Sequence, residues 1–293
     1  MSTMILENFK LFLLFFTFYT ILIVYSLYLL FTLNFMEDFM LIESYFKHIR
    51  LNNPLTISYS SLKQIHKHHL LSIPFENIDI ISQIPLSMNP SEIMKKIATG
   101  KRGGICFETN SLLFSVLQEL GFNVSFISTK FWNEEKQCWN PEFSHLSILV
   151  KIDEQNYLAD VGIGGGFLEP LLLRDHYEYS DPNGSYRMIE QDDSNFILQK
   201  FNGTWKDLLF ISIIPKQLQQ FQDQFNYFQN SNETIFTQYK IVNLLTKEGR
   251  ISLSDHQLKV TKNHRICLTE IKSQNEWQSI FNNLFNQKAE IKG

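Results

Sequence analysis

The 293-residue chain is poor in cysteine. Cys106, Cys138 and Cys267 are the only three, far apart and at no metal-binding spacing. An odd, scattered set excludes a disulfide scaffold and fits free thiols in a reducing compartment. Basic runs are also missing: 26 Lys and Arg stand against 30 Asp and Glu, for a formal net charge of −4, and no five cations are consecutive. This argues against nucleic acid as a partner. His66, His68 and His69 lie close together, but no acidic residue or cysteine completes a cluster around them, so no metal is expected. At the N-terminus the missing property is charge. Leu11 to Leu33 carries none in 23 positions. As a helix that run would be roughly 34 Å long at about 1.5 Å per residue, enough for a hydrocarbon core of about 30 Å. A signal peptide fits less well, since no small-residue cleavage pattern follows. Residues 1–35 are therefore a candidate membrane anchor, absent from the product if translation starts at Met36 or Met40.

The most informative stretch is Arg102-Gly103-Gly104-Ile105-Cys106-Phe107-Glu108-Thr109-Asn110. From Phe107 on, Leu112, Leu113, Val116, Leu117 and Leu120 recur at helical spacing, and Gly121 supplies a stop. Cys106 thus opens a helix, where unpaired N–H groups and the helix dipole favour a thiolate. Two glycines upstream allow close approach to the backbone. The competing reading is a buried cysteine at the start of a core helix. A nucleophilic thiolate needs an imidazole and a group to orient it. His145 precedes a strand-like run, Leu146 to Lys151. Asp160 lies near the end of a second, Tyr157 to Val161, and the turn Lys151 to Gln155 makes the two a hairpin that brings Asp160 towards His145.

These residues resemble the arylamine N-acetyltransferases. The resemblance rests on the Arg102–Asn110 block, on Ile73-Pro74-Phe75-Glu76-Asn77 with His69 before it, on Ser144-His145-Leu146, and on Tyr157-Leu158-Ala159-Asp160-Val161-Gly162. The gaps of 39 residues from Cys106 to His145 and 15 from His145 to Asp160 also look like the family's. It runs from about Met40 to near the C-terminus, and four ordered motifs are a specific signal. It implies acetyl transfer from acetyl-CoA to the nitrogen of an arylamine or arylhydrazine, through an acetyl-cysteine, with Cys106, His145 and Asp160 catalytic. It further implies that Asn110 lies near Asp160 and that Glu76 and Arg102 pair to support the cysteine loop. Ile163 to Phe167 should border the acyl-cysteine, with Gly164, Gly165 and Gly166 on the CoA side and Ile163 and Phe167 on the acceptor side. Some members carry an aromatic and a basic residue at the positions of Ile163 and Gly165, so this wall should offer no fixed cation. A dinucleotide reading of the glycines fails, because Phe167 stands where a third glycine is needed.

The expected architecture is α+β. A helical bundle over 36–121 carries Cys106, with helices near Leu41 to Arg50, Ser60 to Leu71 and Pro90 to Thr99. A β-barrel over 122–225 carries His145 and Asp160, and an α/β lid covers 226–293; the barrel and lid are implied by the resemblance. The catalytic part belongs in the cytoplasm, where acetyl-CoA and reduced thiols are available. A transglutaminase-like or papain-like cysteine hydrolase would use the same order of Cys, His and Asp, and remains the alternative at this stage.

Overall fold

The computed structural model describes residues 18–20, 22–26, 28, 40–51, 56–100 and 102–286. The chain divides into two units, Met1–Glu43 and Ser44–Gly293. The anchor expected over Leu11 to Leu33 falls mostly outside the described residues. Among the described residues no helix is long and apolar enough to cross a membrane.

The larger unit begins in helical residues 44–49 (α1) and continues through α2 (Tyr59–Ser72). Ser58 caps α2 by accepting the Ser61 N–H, and Leu62, Ile65, His66, His69 and Leu70 share its buried face at helical spacing. The two-residue strand β1 (Phe75–Glu76) and the short helix α3 (Ile78–Ile81) follow, then α4 (Pro90–Gly100) and α5 (Cys106–Glu119). Gly121, at φ +86°, ends α5, and the Phe122 N–H closes onto the Leu117 carbonyl. The first eight residues of α5 are all buried, because it packs at once against α4 and two strands of the sheet that follows.

Next comes a nine-stranded antiparallel, barrel-like sheet: β2 (Asn123–Asn133), β3 (Cys138–Trp139), β4 (His145–Ile152), β5 (Gln155–Ala159), β6 (Leu171–Leu172), β7 (Glu178–Asp181), β8 (Gly184–Asp192), β9 (Asn195–Asn202) and β10 (Thr204–Ser212). Its order is β6-β5-β4-β2-β10-β9-β8-β7, with β3 on β2. Its interior is filled by Ile127, Leu158, Phe167, Met188, Leu198 and Leu209 among others. Strands β4 (His145–Ile152) and β5 (Gln155–Ala159) form the expected hairpin, closed by Asp153 and Glu154 at positive φ. After the short helices α6 (Gln222–Asn230) and α7 (Ile235–Gln238), β11 (Ile241–Thr246), β12 (Gly249–Ser254), β13 (Gln257–Lys262) and β14 (Arg265–Glu270) make a second sheet. The C-terminal helix α8 (Gln274–Asn286) packs Trp277 and Phe281 against Val242 and Leu253.

The second sheet starts far upstream: β1 pairs with β11, Glu76 opposite Val242. The other side of β1 bridges Gly104 in parallel, with the Glu76 N–H donating to the Gly104 carbonyl at 3.1 Å. Gly103 lies so close to the Pro74 carbonyl that a side chain would meet backbone there. Gly103→Ala should therefore lower stability by about 3 kcal/mol through overpacking, read as a lower midpoint of urea unfolding. Gly203→Asn, at φ +77° with open space around it, should cost under about 1 kcal/mol, since asparagine tolerates that conformation.

Candidate active site

Strand register brings the site together. Ile148 pairs with Ala159 across the hairpin, so Asp160, one residue beyond β5, comes level with Ser147. Side chains two apart on a strand share a face, and both His145 and Ser147 reach the same carboxylate oxygen. His145 Nε2 lies 2.8 Å and Ser147 Oγ 2.6 Å from Asp160 Oδ2. The other oxygen, Oδ1, accepts from Asn110 Nδ2 and from the Gly162 N–H, both at 2.9 Å. Asn110 sits one turn after Cys106 on α5, and its Oδ1 accepts the Val161 N–H at 2.9 Å, which ties the helix to the strand end. Asp160 is 1% exposed and His145 2%. A fully buried carboxylate is tolerated only with its lone pairs filled.

Cys106, 6% exposed, is the first residue of α5 and a hydrogen-bond partner of the His145 ring. Since Nε2 is engaged by Asp160, Nδ1 is the ring nitrogen left to the thiol. Gly162 closes the arrangement: a Cβ there would stand 2.6 Å from Cys106 Cα and Cβ and 2.8 Å from Asn110 Nδ2. Burial alone would push His145 down, but the charges of Asp160 and Cys106 outweigh it and lift the imidazole to about 10. Burial likewise pushes Asp160 up, and the imidazolium with the donated hydrogen bonds holds it below the usual carboxylate value. At neutral pH the pair is an imidazolium and a carboxylate.

Three further groups complete the surroundings. His66 of α2 is wholly buried, and burial holds it below the usual histidine value, hence neutral. One ring nitrogen accepts the Asp160 N–H at 3.1 Å while the other donates to the Leu168 carbonyl at 3.0 Å. His66 thus clips both ends of the loop after Asp160. On the far side of Cys106 the expected Glu76–Arg102 pair is present in forked form, at 2.9 and 3.0 Å. It belongs to a larger network: Arg102 also reaches Asp79 at 2.8 Å, and Lys96 bridges Asp79 at 3.1 Å and Glu108 at 2.6 Å. Glu108 accepts the Ile105 N–H, and burial, opposed by Lys96, pushes its carboxyl up to about 7.

The loop residues fare differently. Gly164 and Gly165 are half-exposed, but the directions in which their side chains would point are already occupied. Asn243 Nδ2 stands 2.9 Å from a Cβ on Gly164, and the Arg250 guanidinium fills the place of one on Gly165. A Cβ on Gly166 would stand 3.0 Å from Ile163 Cβ. Ile163 is 8% exposed, and Phe167 is fully buried between His66 and Tyr186 in the barrel core. The loop thus turns the Phe167 ring into the barrel, and Arg250 of β12 brings a guanidinium to the turn at Gly165. Sequence reasoning did not single out Ser147, His66, Gly162, Asp79, Lys96 or Glu108 as site residues. Ser147 was signalled by its place two residues after His145 on a strand; nothing local marked His66.

The His145 imidazolium should persist from pH 6 to pH 9, seen as two protonated ring nitrogens by 15N NMR of the imidazole. A group whose folded value is raised gives stability present in full below its unfolded value of about 6.5 and lost as pH rises through the folded one. His145→Gln should therefore flatten the decline in unfolding free energy between pH 7 and 10.

A family model described as N-acetyltransferase matches residues 58–292. The chain is 28% identical over 236 residues to the liver isozyme of arylamine N-acetyltransferase from Gallus gallus, covering 73% of this chain and 82% of that one. Its fold matches that of the arylamine N-acetyltransferase from Salmonella typhimurium, at 22% identity over 86% of this chain and 93% of that one, with a TM-score of 0.78. It also matches one from Bacillus cereus with a Cys-His-Glu catalytic triad, at 20% identity over 85% of this chain and 99% of that one, with a TM-score of 0.76. With the matched residues running from the cap of α2 to the last helix, the chain belongs to the arylamine N-acetyltransferase family.

Proposed function

We propose that the protein transfers an acetyl group from acetyl-CoA to the nitrogen of an arylamine or arylhydrazine, through acetylated Cys106. The observation that carries this reading is a buried Cys106, His145 and Asp160 in continuous contact at the first turn of a helix. Cys106 thiolate adds to the acetyl carbonyl, and N–H groups of the first turn of α5 face the developing oxyanion. The adduct expels CoA as a thiolate, which takes the proton of the His145 imidazolium. Both nucleophile and leaving group are thiols, so this half is close to balanced in free energy.

In the second half the neutral amine attacks the acetyl-cysteine. His145, now neutral, takes the proton lost by nitrogen as Cys106 leaves, and the imidazolium–thiolate pair is restored. Asp160 fixes the ring through Nε2 and stays ionised throughout. Gly162, which touches Cys106, sets the start of the loop along which both substrates approach, and the contacts of Gly164 to Gly166 with the donor would be made by backbone. An acyl-thiol cycle requires reduced cysteine and acetyl-CoA, which assigns the reaction to the cytoplasm.

Intact-mass measurement after exposure to acetyl-CoA should show one added acetyl group, discharged by an arylamine and far more slowly by water. Cys106→Ala should abolish both the adduct and turnover, a loss of about three orders of magnitude or more. Cys138→Ala and Cys267→Ala, at exposed positions, should retain them. Turnover in the Cys106 variant, or discharge by water as fast as by amine, would overturn the mechanism.

A further inference from the structure

Two cations meet at the turn that follows Asp160. The Arg250 guanidinium of β12 covers Gly165, and Lys200 Nζ of β9 points at the Gly165 carbonyl from 3.4 Å. Tyr186 donates its hydroxyl to the same carbonyl at 3.4 Å, and its ring lies 5.1 Å below the ammonium. Among the described residues neither Arg250 nor Lys200 joins an ion pair, whereas the part-buried Lys96, Arg102 and Lys240 do. The carboxylate that faces Lys200 is Asp181, and its oxygens are taken by the Leu168 and Asn183 N–H groups at 2.7 and 2.6 Å and by the Tyr179 hydroxyl. Burial and the neighbouring Arg250 push the Lys200 ammonium down to about 8, with Asp181 pulling the other way. Like charges held together in a half-buried place are costly, and an oxyanion between them removes the cost while meeting a guanidinium fork and an ammonium. The turn is also within reach of the chemistry. Gly162 touches Cys106, and three residues of chain span at most about 11 Å.

We propose that Arg250 and Lys200 form an oxyanion subsite over Gly165, for a carboxylate or phosphate carried by a substrate engaged at Cys106. The assignment rests on the acetyl-transfer reading for its place in the reaction, since the anion belongs either to an acidic arylamine or to the phosphates of the donor. A mere clamp is the competing role: the guanidinium would only hold the turn against the second sheet, and its loss would affect all substrates alike.

The test uses full-length Arg250→Gln and Lys200→Gln with four measurements. The acceptor arm is the ratio of kcat/KM for 4-aminobenzoate to that for aniline. The donor arm is the ratio of the Cys106 acylation rates with acetyl-CoA and with S-acetyl-N-acetylcysteamine, which has no phosphate. One ratio should fall by about tenfold, the size of a lost charge-assisted hydrogen bond, and which one falls names the source. Thermal midpoints should stay level or rise, because a repulsion has been removed. Both ratios unchanged, or an equal loss on every substrate with a lower midpoint, would overturn the subsite. If Arg250→Gln does not fold, Lys200→Gln and Arg250→Lys carry the test, the latter expected to keep most of the affected ratio. If the wild type is never acetylated, the transfer reading fails by itself. The subsite is then judged by calorimetric binding of adenosine 3′,5′-bisphosphate and 4-aminobenzoate, where affinities equal in wild type and variants would overturn it.

Discussion

The structure depends on how one carboxylate is kept ionised out of water. Asp160 accepts four hydrogen bonds, from His145, Ser147, Asn110 and Gly162, and its own N–H is received by His66. Removing a carboxylate from water costs several kcal/mol, which only such a full set of donors offsets. The donors come from a strand, a helix and a loop, and His66 brings in a second helix, so satisfying Asp160 fixes how α2, α5 and the β4–β5 hairpin sit together. The same satisfaction leaves His145 a single function, since Nε2 and the ring plane are committed and only Nδ1 faces the thiol. Fold and site are thus one constraint. A residue that weakens the packing of α5 on β4 also turns the imidazole.

A second dependence links the two ends of the chain. The Pro74–Asn77 segment and the Arg102–Cys106 segment form one object, because β1 lies between β11 on one side and Gly104 on the other. Asn77 extends the link: Nδ2 donates to the carbonyls of Phe236 and Tyr239, and Oδ1 accepts the Ile241 N–H. Glu76 then receives Arg102, the Gly103 N–H and the Ile78 N–H. The C-terminal sheet therefore sets the height of the cysteine loop through backbone contacts, and the ion pair locks the result.

The triad, the Asn110 contact and the Glu76–Arg102 pair were legible because each sits in a short segment with one dominant constraint: a helix start, a strand start, or a charge that must be met. The β4–β5 hairpin was legible too, from two apolar runs on either side of a polar turn. Others gave no usable signal. β10 (Thr204–Ser212) breaks its alternation at a register shift between Asp207 and Leu209, and all six residues of β14 are exposed. Phe167 reads as a loop aromatic next to glycines, yet it fills the barrel, because its ring is received between His66 and Tyr186 from distant segments. Arg250 had no local mark at all. Its place over Gly165 depends on how the second sheet meets the first, which no periodicity encodes.

Charge distribution around Cys106 is consequently uneven in a way that the net charge of −4 hides. Around the cysteine loop, three buried carboxylates, Glu76, Asp79 and Glu108, face two cations, Lys96 and Arg102. That cluster is one cation short, and with the Glu108 carboxyl lifted to about 7 it can shed the excess by taking up a proton rather than by drawing in an ion. Downstream, Arg250 and Lys200 carry two positive charges at the half-exposed turn. Lys200, pushed down to about 8 by burial and Arg250, can release part of that excess near neutrality, whereas a guanidinium keeps its proton. An anion approaching Cys106 therefore meets a nearly neutral, closed side and a positive, open one. Interactions of this kind act within a screening length of about 8 Å at physiological salt. They orient a substrate already at the mouth of the site rather than collect it from solution, so the cations bear on which end of a substrate enters first.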